Sequence, residues 1–178
     1  MKPKLLLHVC CGPCSVAIFE ELLKEFDLVV HFYNPNIHPL EEYEKRKTEV
    51  KKLCQELNLE LIEDEYNSND WFEFIKGLEK EAEGGERCKK CLEFRLDRAG
   101  KIAKEKDCIF FTTSLSSGRN KQAEIINPIG NEIAERYGIK FLEADWKKGG
   151  RQEKANKLCK LKNIYRQDYC GCIFSKRS

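Results

Sequence analysis

Three cysteines fall within five residues near the start of the chain, in the stretch Cys10-Cys11-Gly12-Pro13-Cys14. An aliphatic run at residues 5–9 precedes them and is typical of a buried strand. Residues 16–26 follow with apolar side chains at helical spacing, and Ser15 is the expected N-cap. The thiols therefore lie in a strand-to-helix turn, where backbone N–H groups and the helix dipole favour thiolates. In an α/β fold such a turn lies at the carboxyl edge of the sheet, where chemistry usually takes place.

A second pair, Cys88-x-x-Cys91, has the spacing of metal ligands, of a redox pair or of half a zinc knuckle. With Cys10 and Cys11 it supplies four thiolates, which suit either zinc or a [4Fe–4S] cluster. Adjacent cysteines match the corners of an iron–sulfur cube better than one zinc ion, because neighbouring side chains diverge. We therefore expect a [4Fe–4S] cluster on Cys10, Cys11, Cys88 and Cys91. Cys14 is either a competitor for that set or a ligand of an adjacent metal.

The third set is Cys170-Gly171-Cys172, in which a single glycine lets two thiols approach each other. Such a pair suits a reversible disulfide or a metal clamp. Asp168 and Tyr169 directly precede it and add a carboxylate and an aromatic ring. His8 lies two residues before the first cysteine and is the histidine with a candidate role. Three cysteine sets of this kind indicate electron transfer to a substrate.

Five short apolar runs alternate with helical patterns along the chain, at residues 5–9, 28–33, 59–62, 108–113 and 139–142. This alternation predicts one doubly wound α/β domain over residues 1–178, with a mainly parallel five-stranded sheet. Right-handed crossovers would bring the turns that carry Cys10, Asn34 and Thr112 to one edge. The last long helical pattern is expected to break at Asn127-Pro128 and to end at Gly138.

The composition is that of a globular protein, with 41% hydrophobic and 35% charged residues in 178. Neither a signal peptide nor an apolar stretch long enough to span a bilayer is visible. We therefore expect a cytoplasmic monomer that has no membrane partner. Ten cysteines in a reducing compartment indicate metal binding or redox work. Of the three isolated cysteines, Cys54 and Cys108 are expected in the core, and Cys159 is undecided.

Charge is distributed unevenly along the chain. Residues 147–178 contain ten Lys or Arg and two acidic residues, whereas residues 1–146 contain 22 basic and 28 acidic residues. A basic C-terminal segment attached to an acidic body suggests a polyanionic partner such as RNA, and the alternative is a solvated lysine-rich surface. We expect this helical segment to pack against the active-site edge. No Gly-x-Gly-x-x-Gly follows a strand, so a dinucleotide site is unsupported.

Taken together, these motifs resemble the QueH-type epoxyqueuosine reductases, which act in tRNA queuosine synthesis. The matching stretches preserve their order over nearly the whole chain: LLLHVCCGPC (5–14), YNPNIHP (33–39), RCKKCLEFRL (87–96), TTSLS (112–116), LEADWKKG (142–149) and YRQDYCGCIFS (165–175). The combination of cysteine doublet, CxxC and YCGC is specific, although each motif alone is not. Gly118-Arg119-Asn120 departs from the family's usual Ser-Pro-Tyr, which leaves the role of loop 114–121 open.

The resemblance implies reductive removal of the epoxide oxygen from epoxyqueuosine at the tRNA wobble position. It implies a fold related to adenine-nucleotide α-hydrolases and PP-loop enzymes, and an iron–sulfur centre in place of cobalamin. The reaction consumes two electrons and two protons, which requires an external electron donor. Cys170 and Cys172 are the candidate two-electron reservoir, or else ligands of a second iron ion that acts as a Lewis acid. Asp168, Tyr169 and His8 are candidate proton donors.

Two other functions remain open at this point. A PP-loop-like tRNA thiolation enzyme would also carry an iron–sulfur cluster, but the missing phosphate loop speaks against it. A zinc-stabilised RNA-binding module would explain the CxxC pair and the basic segment. It would leave Cys170-Gly171-Cys172 unexplained.

Overall fold

Strands and helices alternate in the computed structural model of the protein, which describes residues 1–176. The strands are β1 (Lys4–Val9), β2 (Asp27–Phe32), β3 (Glu60–Glu63), β4 (Phe110–Thr113) and β5 (Lys140–Phe141). The helices are α1 (Gly12–Leu22), α2 (Leu40–Glu56), α3 (Ser68–Phe74), α4 (Glu86–Glu105), α5 (Ala123–Tyr137) and α6 (Arg151–Leu161). Within residues 1–176, no helix combines the length and the apolar character that crossing a bilayer requires.

The five strands form one parallel sheet in the order β3-β2-β1-β4-β5, as the alternation of the sequence predicts. The chain builds outward from β1 to β3 and then continues on the other side of β1 with β4. The order therefore reverses between β1 and β4, where His8 pairs with Thr113. Ligands of open α/β sheets bind outside the carboxyl ends of the strands at such a switch point. This places Cys10 at the position in the fold that is best suited to a functional site.

Helices cover both faces of the sheet, so the doubly wound prediction is confirmed. Along β1, Leu5, Leu7 and Val9 pack into the layer that contains α1, α2 and α6. Leu6 points to the opposite layer, built from α4 and α5. These β1 side chains are fully buried, because a central parallel strand has helices on both sides. The double layer makes β1 a rigid base for the cysteines that follow it.

Two local expectations were wrong. Helix α1 begins at Gly12 with Cys11 as its N-cap, since Pro13 fits the first helical turn. Ser15 instead donates from its hydroxyl to the Cys11 carbonyl at 2.8 Å. Helix α5 runs through Pro128 without a break, because buried side chains on both sides of the proline pack against the sheet. The predicted end of α5 is confirmed, since Gly138 has the left-handed conformation with φ of 65°.

The isolated cysteines are core residues. Cys54 and Cys108 are buried as expected, and Cys159 is buried as well. Burial raises the pKa of Cys54 to about 12 and that of Cys108 to about 11. Thiols of this kind stay protonated and are chemically inert. The reactive candidates are therefore the clustered cysteines.

The basic C-terminal segment attaches to the helices that it covers, and its last two residues, 177–178, lie outside the described residues. Helix α6 packs on α1, and Arg151 forms a two-pronged ion pair with Glu21 at 2.7 and 2.8 Å. Two lysines of the segment also form ion pairs with glutamates of α1 and α2: Lys154 with Glu20, and Lys162 with Glu56. Part of the charge asymmetry therefore serves packing within the chain.

Candidate active site

An inner thiol group, which we define as Cys10, Cys11 and Cys14, lies where β1 turns into α1. Its three sulfur atoms all lie within 4.8 Å of one another, and those of Cys10 and Cys11 are 3.6 Å apart. Cys10 and Cys11 are buried, whereas Cys14 is partly exposed. These three sulfur atoms lie close enough together to hold a metal ion, and no other set of three His, Cys, Asp or Glu within residues 1–176 has this spacing.

Three other segments converge on the inner thiol group. The Asn34 amide donates to the Val9 carbonyl at 2.9 Å from the turn after β2. The Ser114 hydroxyl oxygen, directly after β4, accepts from the Cys10 N–H at 3.4 Å. From the C-terminal segment, the Gln167 amide nitrogen lies 2.8 Å from the Cys11 sulfur. Convergence of the turns after β1, β2 and β4 is therefore observed.

The inner thiol group stabilises one negative charge in preference to several. Hydrogen bonds from Cys11 and Cys14 lower the pKa of Cys10, and the positive charge of Arg95 contributes to the same shift. Burial raises the pKa of Cys11, and the hydrogen bond with Cys10 raises that of Cys14. Cys10 is therefore the thiol that most readily becomes a thiolate, which is the form that binds metals.

His8 lies beneath the inner thiol group and is fully buried. Its Nδ1 is 3.0 Å from the Thr113 hydroxyl and its Nε2 is 2.9 Å from the Tyr33 carbonyl. Burial, followed by the charge of Arg95, lowers the pKa of His8 to about 3. The imidazole is consequently neutral at physiological pH, and both of its nitrogens have partners.

An outer thiol group, which we define as Cys88, Cys91, Cys170 and Cys172, surrounds one small cavity. Its volume of about 10 Å³ is room for roughly one water molecule. A four-iron cluster is larger, so its loading would require the thiols to move apart. The remaining wall of the cavity consists of Asn36, Trp71, Arg87 and Lys121. The structure thus brings the CxxC pair together with Cys170 and Cys172, and does not place it within the inner thiol group.

A buried arginine of α2 holds the segment that carries Cys170. Arg46 donates from Nη1 to the Cys170 carbonyl at 3.1 Å and from Nη2 to the Tyr169 carbonyl at 3.0 Å. Its Nε pairs with Glu42 at 2.7 Å, and both side chains are buried. A two-pronged contact of this type fixes the direction of the backbone as well as its position. Arg46 therefore determines where the Cys170 thiol lies.

Gly171 allows the chain to turn between the two redox-candidate thiols. Its φ is +104°, a conformation that side chains rarely adopt, and its carbonyl accepts from the His38 N–H at 2.8 Å. A Cβ at this position would lie 2.7 Å from Ile37 Cγ1. Glycine is thus required here by backbone conformation and by space.

Cys170 and Cys172 differ in their acidity. A hydrogen bond from Cys172 and the nearby charge of Lys121 help to lower the pKa of Cys170 to about 5, whereas the same hydrogen bond raises the pKa of Cys172. One thiolate beside one thiol is the arrangement from which a disulfide forms and reopens readily. Lys121 ends the loop 114–121, whose role the sequence left open.

The other candidate proton donors lie beside the outer thiol group. Asp168 is exposed to solvent. The Tyr169 hydroxyl donates to the His38 carbonyl, and burial raises the pKa of this phenol. Of the three candidates, Asp168 is therefore the exposed acid, while Tyr169 and His8 have their polar atoms engaged.

The wall of the cavity contains buried polar atoms that lack partners among residues 1–176. These are Asn36 Oδ1, Trp71 Nε1 and Arg87 Nε, all on side chains that are at most 2% exposed. A buried hydrogen-bond donor without a partner destabilises the folded protein. The sulfur atoms of an iron–sulfur cluster accept hydrogen bonds from N–H donors of this kind. Four thiols with spare donors therefore fit an iron–sulfur group chemically. Sequence reasoning passed over Arg87, although it lies within the RCKKC motif.

Comparison with known proteins identifies the family to which this chain belongs. The sequence model of the family "Epoxyqueuosine reductase QueH" matches residues 5–178. A curated epoxyqueuosine reductase QueH from Acinetobacter baylyi is 40% identical over 98% of this chain and 81% of its own length. QueH from Thermotoga maritima is 38% identical over 96% of this chain and 89% of its own, and QueH from Streptococcus pyogenes is 34% identical over 99% and 72%.

A solved structure supports the fold independently. The U34-tRNA thiolase NcsA from Methanococcus maripaludis, determined with its [4Fe-4S] cluster, superposes with a TM-score of 0.63 at 15% identity. The alignment covers all of this chain and 63% of the thiolase. At this identity the match concerns the architecture, and it agrees with the PP-loop-related fold that the sequence predicts. On the strength of the family match over nearly its full length, the chain belongs to the QueH family of epoxyqueuosine reductases.

Proposed function

We propose that this protein reduces the epoxide of epoxyqueuosine in tRNA, at the wobble position, to give queuosine. The observation that carries the proposal is the convergence of all three cysteine motifs of the family on one edge of the sheet. Turning the epoxide into an alkene takes up two electrons and two protons and releases water. Thiols at this edge that exchange electrons with a substrate bound beside them would meet that requirement.

The cofactor that we propose is a [4Fe–4S] cluster on Cys10, Cys11, Cys88 and Cys91, without cobalamin. When bound, such a cluster supplies electrons one at a time. Support comes from Arg95, which contacts the Cys91 carbonyl and whose charge acts on Cys10, so both cysteine pairs lie beside one side chain. The outer thiol group is the competing set of four ligands, because its members share one cavity.

Cys170 and Cys172 are proposed as the two-electron reservoir. Oxidation of the Cys170 thiolate and the Cys172 thiol to a disulfide releases two electrons and one proton, and a nearby acid supplies the second proton that reduction of the epoxide to an alkene and water takes up. An external donor would then reduce the disulfide. The low pKa of Cys170 and the high pKa of Cys172 support this assignment. The alternative is a second iron ion held by the same two thiols.

The departing epoxide oxygen needs an acid. Asp168 is exposed next to the redox pair, and Lys121 lines the cavity with Cys170. His8 is neutral and has both ring nitrogens engaged, which argues against it as the donor. We therefore propose that the Lys121 ammonium, or Asp168 after it takes up a proton from solvent, delivers this proton, with Tyr169 aligning the segment through its contact with the His38 carbonyl.

The tRNA would bind along the basic C-terminal segment. Several lysines of the segment are exposed, namely Lys157, Lys160 and Lys176. Each phosphate that such a group neutralises should steepen the dependence of log affinity on log salt by roughly 0.7 to 0.9. Triple replacement of these lysines by glutamine should flatten that slope, and a salt-independent tRNA affinity would contradict this surface.

The proposed activity can be tested directly with anaerobically purified protein. The protein is incubated with tRNA that contains epoxyqueuosine and a chemical reductant, without ATP or cobalamin, and the nucleosides are analysed by mass spectrometry. We expect queuosine, with the loss of one oxygen atom. A requirement for cobalamin would overturn the cofactor proposal, and sulfur incorporation that depends on ATP would favour a thiolase. Zinc in place of iron, with no turnover, would favour an RNA-binding module.

A further inference from the structure

Two buried arginines beside the thiols lack carboxylate partners. Arg87 and Arg95 are each 2% exposed. Within residues 1–176, neither forms an ion pair, whereas four other arginines pair with Asp or Glu: Arg46 with Glu42, Arg98 with Asp64, Arg136 with Asp97 and Arg151 with Glu21. Arg87 and Arg95 thus lie buried close to the cysteines, and the described chain leaves both without a counter-charge.

The hydrogen bonds of Arg95 are weak compensation for burial. Its Nε donates to the Cys91 carbonyl and its Nη1 to Asn34 Oδ1, both at 3.4 Å, and both acceptors are neutral. Guanidinium remains protonated in proteins, so this side chain cannot avoid the cost of burial by losing its charge. A buried charge is tolerated when an opposite charge accompanies it. Arg95 therefore points to an anion nearby.

The location of Arg95 identifies where that anion would be. Cys91 belongs to the outer thiol group. Asn34 links Arg95 to the end of β1, because its Oδ1 accepts from Arg95 and its amide nitrogen donates to the Val9 carbonyl. The positive charge of Arg95 also acts on Cys10 in the inner thiol group. The guanidinium thus lies beside both thiol groups, and thiolates that ligate a metal cluster give a centre with net negative charge.

We propose that Arg95 is the built-in counter-ion of the anionic centre that the inner and outer thiol groups hold, and that its charge raises the reduction potential of this centre. The inference rests on the iron–sulfur cofactor of the proposed function. Arg95 acts through the cluster and is therefore a positioning residue. Reduction adds a negative charge to the centre, and a fixed positive charge nearby stabilises the reduced form.

The test compares Arg95→Met with Arg95→Lys in the cluster-loaded protein, with the midpoint potential followed by electron paramagnetic resonance. Arg95→Met should move the potential to more negative values by at least a tenfold change in the redox equilibrium, about 59 mV for one electron. Arg95→Lys keeps the charge and should stay near the parent value. Arg98→Met is the matched control, because Arg98 lies on the same helix as Arg95 but is paired with Asp64, and it should leave the potential unchanged.

A second measurement separates this inference from the cofactor proposal. In the cluster-free protein, Arg95→Met should unfold at the same temperature as the parent or higher, because an uncompensated buried charge has been removed. Arg46→Met should unfold at a lower temperature, because it leaves Glu42 buried and unpaired. The inference would be overturned by an unchanged potential in Arg95→Met or by equal shifts of the potential in Arg95→Met and Arg95→Lys. It would also be overturned if cluster-free Arg95→Met unfolds at as low a temperature as Arg46→Met. A parent protein that assembles no cluster would contradict the cofactor instead, and the unfolding temperatures would still decide the role of Arg95.

Discussion

The inner and outer thiol groups reach the same edge of the sheet by different routes. The inner thiol group comes from one short stretch after β1, and buried strands on both sides fix it. The outer thiol group is assembled from the start of α4 and the C-terminal segment, which are far apart in sequence. Buried arginines hold its backbone: Arg46 through the carbonyls of Tyr169 and Cys170, and Arg87 through those of Glu79 and Glu81.

This difference separates a preorganised part of the site from an adjustable one. Movement of the inner thiol group would disturb the central strand, whereas the outer thiol group rests on side-chain contacts that can loosen without unfolding the sheet. We infer that the inner thiol group anchors the cluster and that the outer thiol group adapts as the cluster loads and the disulfide forms. Variants that alter one group and spare the other should therefore have distinct effects.

The largest effect should come from removing the proposed redox pair, Cys170 and Cys172, alone. A Cys170→Ser, Cys172→Ser double variant should keep its iron and lose turnover with a chemical reductant, since the two-electron reservoir is gone. Activity is measured by queuosine formation and metal by iron analysis. Cys54→Ala, which removes an inert core thiol, is the control and should retain both. Loss of iron together with activity would favour the second-iron alternative, and full activity would remove the pair from the mechanism.

Loosening the backbone of the outer thiol group should cost stability. Arg46→Met leaves Glu42 buried without its partner and frees two carbonyls, so the free energy of unfolding in urea should fall by about 3–5 kcal/mol. The matched control is Arg136→Met, which removes an exposed pair with Asp97 and should cost at most about 1 kcal/mol. Equal effects of the two substitutions would mean that the Arg46 contact does not hold the segment.

A smaller effect is expected from a methyl group at Gly171, between the Cys170 and Cys172 thiols. Gly171→Ala combines backbone strain with a close approach to Ile37, and should destabilise the protein by about 2–3 kcal/mol and slow turnover. Gly84→Ala is the control, because its φ of +89° is similar but no atom lies within 4 Å of the added Cβ. The control should lose about 1 kcal/mol from the backbone alone. If the two variants are equally stable, the contact with Ile37 is unimportant.

The smallest effect concerns the β2–β3 side of the inner thiol group. Burial alone would raise the pKa of Asp64, but hydrogen bonds from His31 and Arg98 hold it well below its usual range. Stability from this carboxylate is therefore present above the unfolded pKa near ~4 and is lost as the pH falls toward the folded pKa. Asp64→Asn should lower the free energy of unfolding by about 1–2 kcal/mol at pH 7 and flatten its decline in acid. Parallel pH profiles for parent and variant would contradict this.

The sequence was sufficient for the fold and for the inner thiol group, because both depend on local patterns. Alternating apolar runs predict the five parallel strands, and the cysteine doublet lies next to the strand that positions it. The assembly of the outer thiol group could not be predicted from the sequence, because it depends on how the C-terminal segment packs. Arg46 shows the reason. It lies in a long charged helix, and no spacing in the sequence distinguishes a buried arginine from an exposed one.

The uneven distribution of charge is a second feature whose role depends on tertiary contacts. Counting Lys and Arg in residues 147–178 predicts a polyanion-binding surface, yet Arg151, Lys154 and Lys162 pair with acidic residues of the body. Composition reports how many charges a segment contains, whereas their availability depends on tertiary contacts. The exposed lysines are the part of the prediction that the salt dependence of tRNA binding will test.

A cluster shared by the two thiol groups is tested by the iron and sulfide content, with the visible spectrum, of anaerobically purified variants from both groups. We expect the parent to hold one four-iron cluster, Cys10→Ser and Cys88→Ser each to lose it, and Cys54→Ala to keep it. Loss in both cysteine variants would show that one cluster depends on the inner and the outer thiol group together. Full iron in Cys88→Ser and in Cys91→Ser would contradict the ligand assignment and a centre shared by the inner and outer thiol groups.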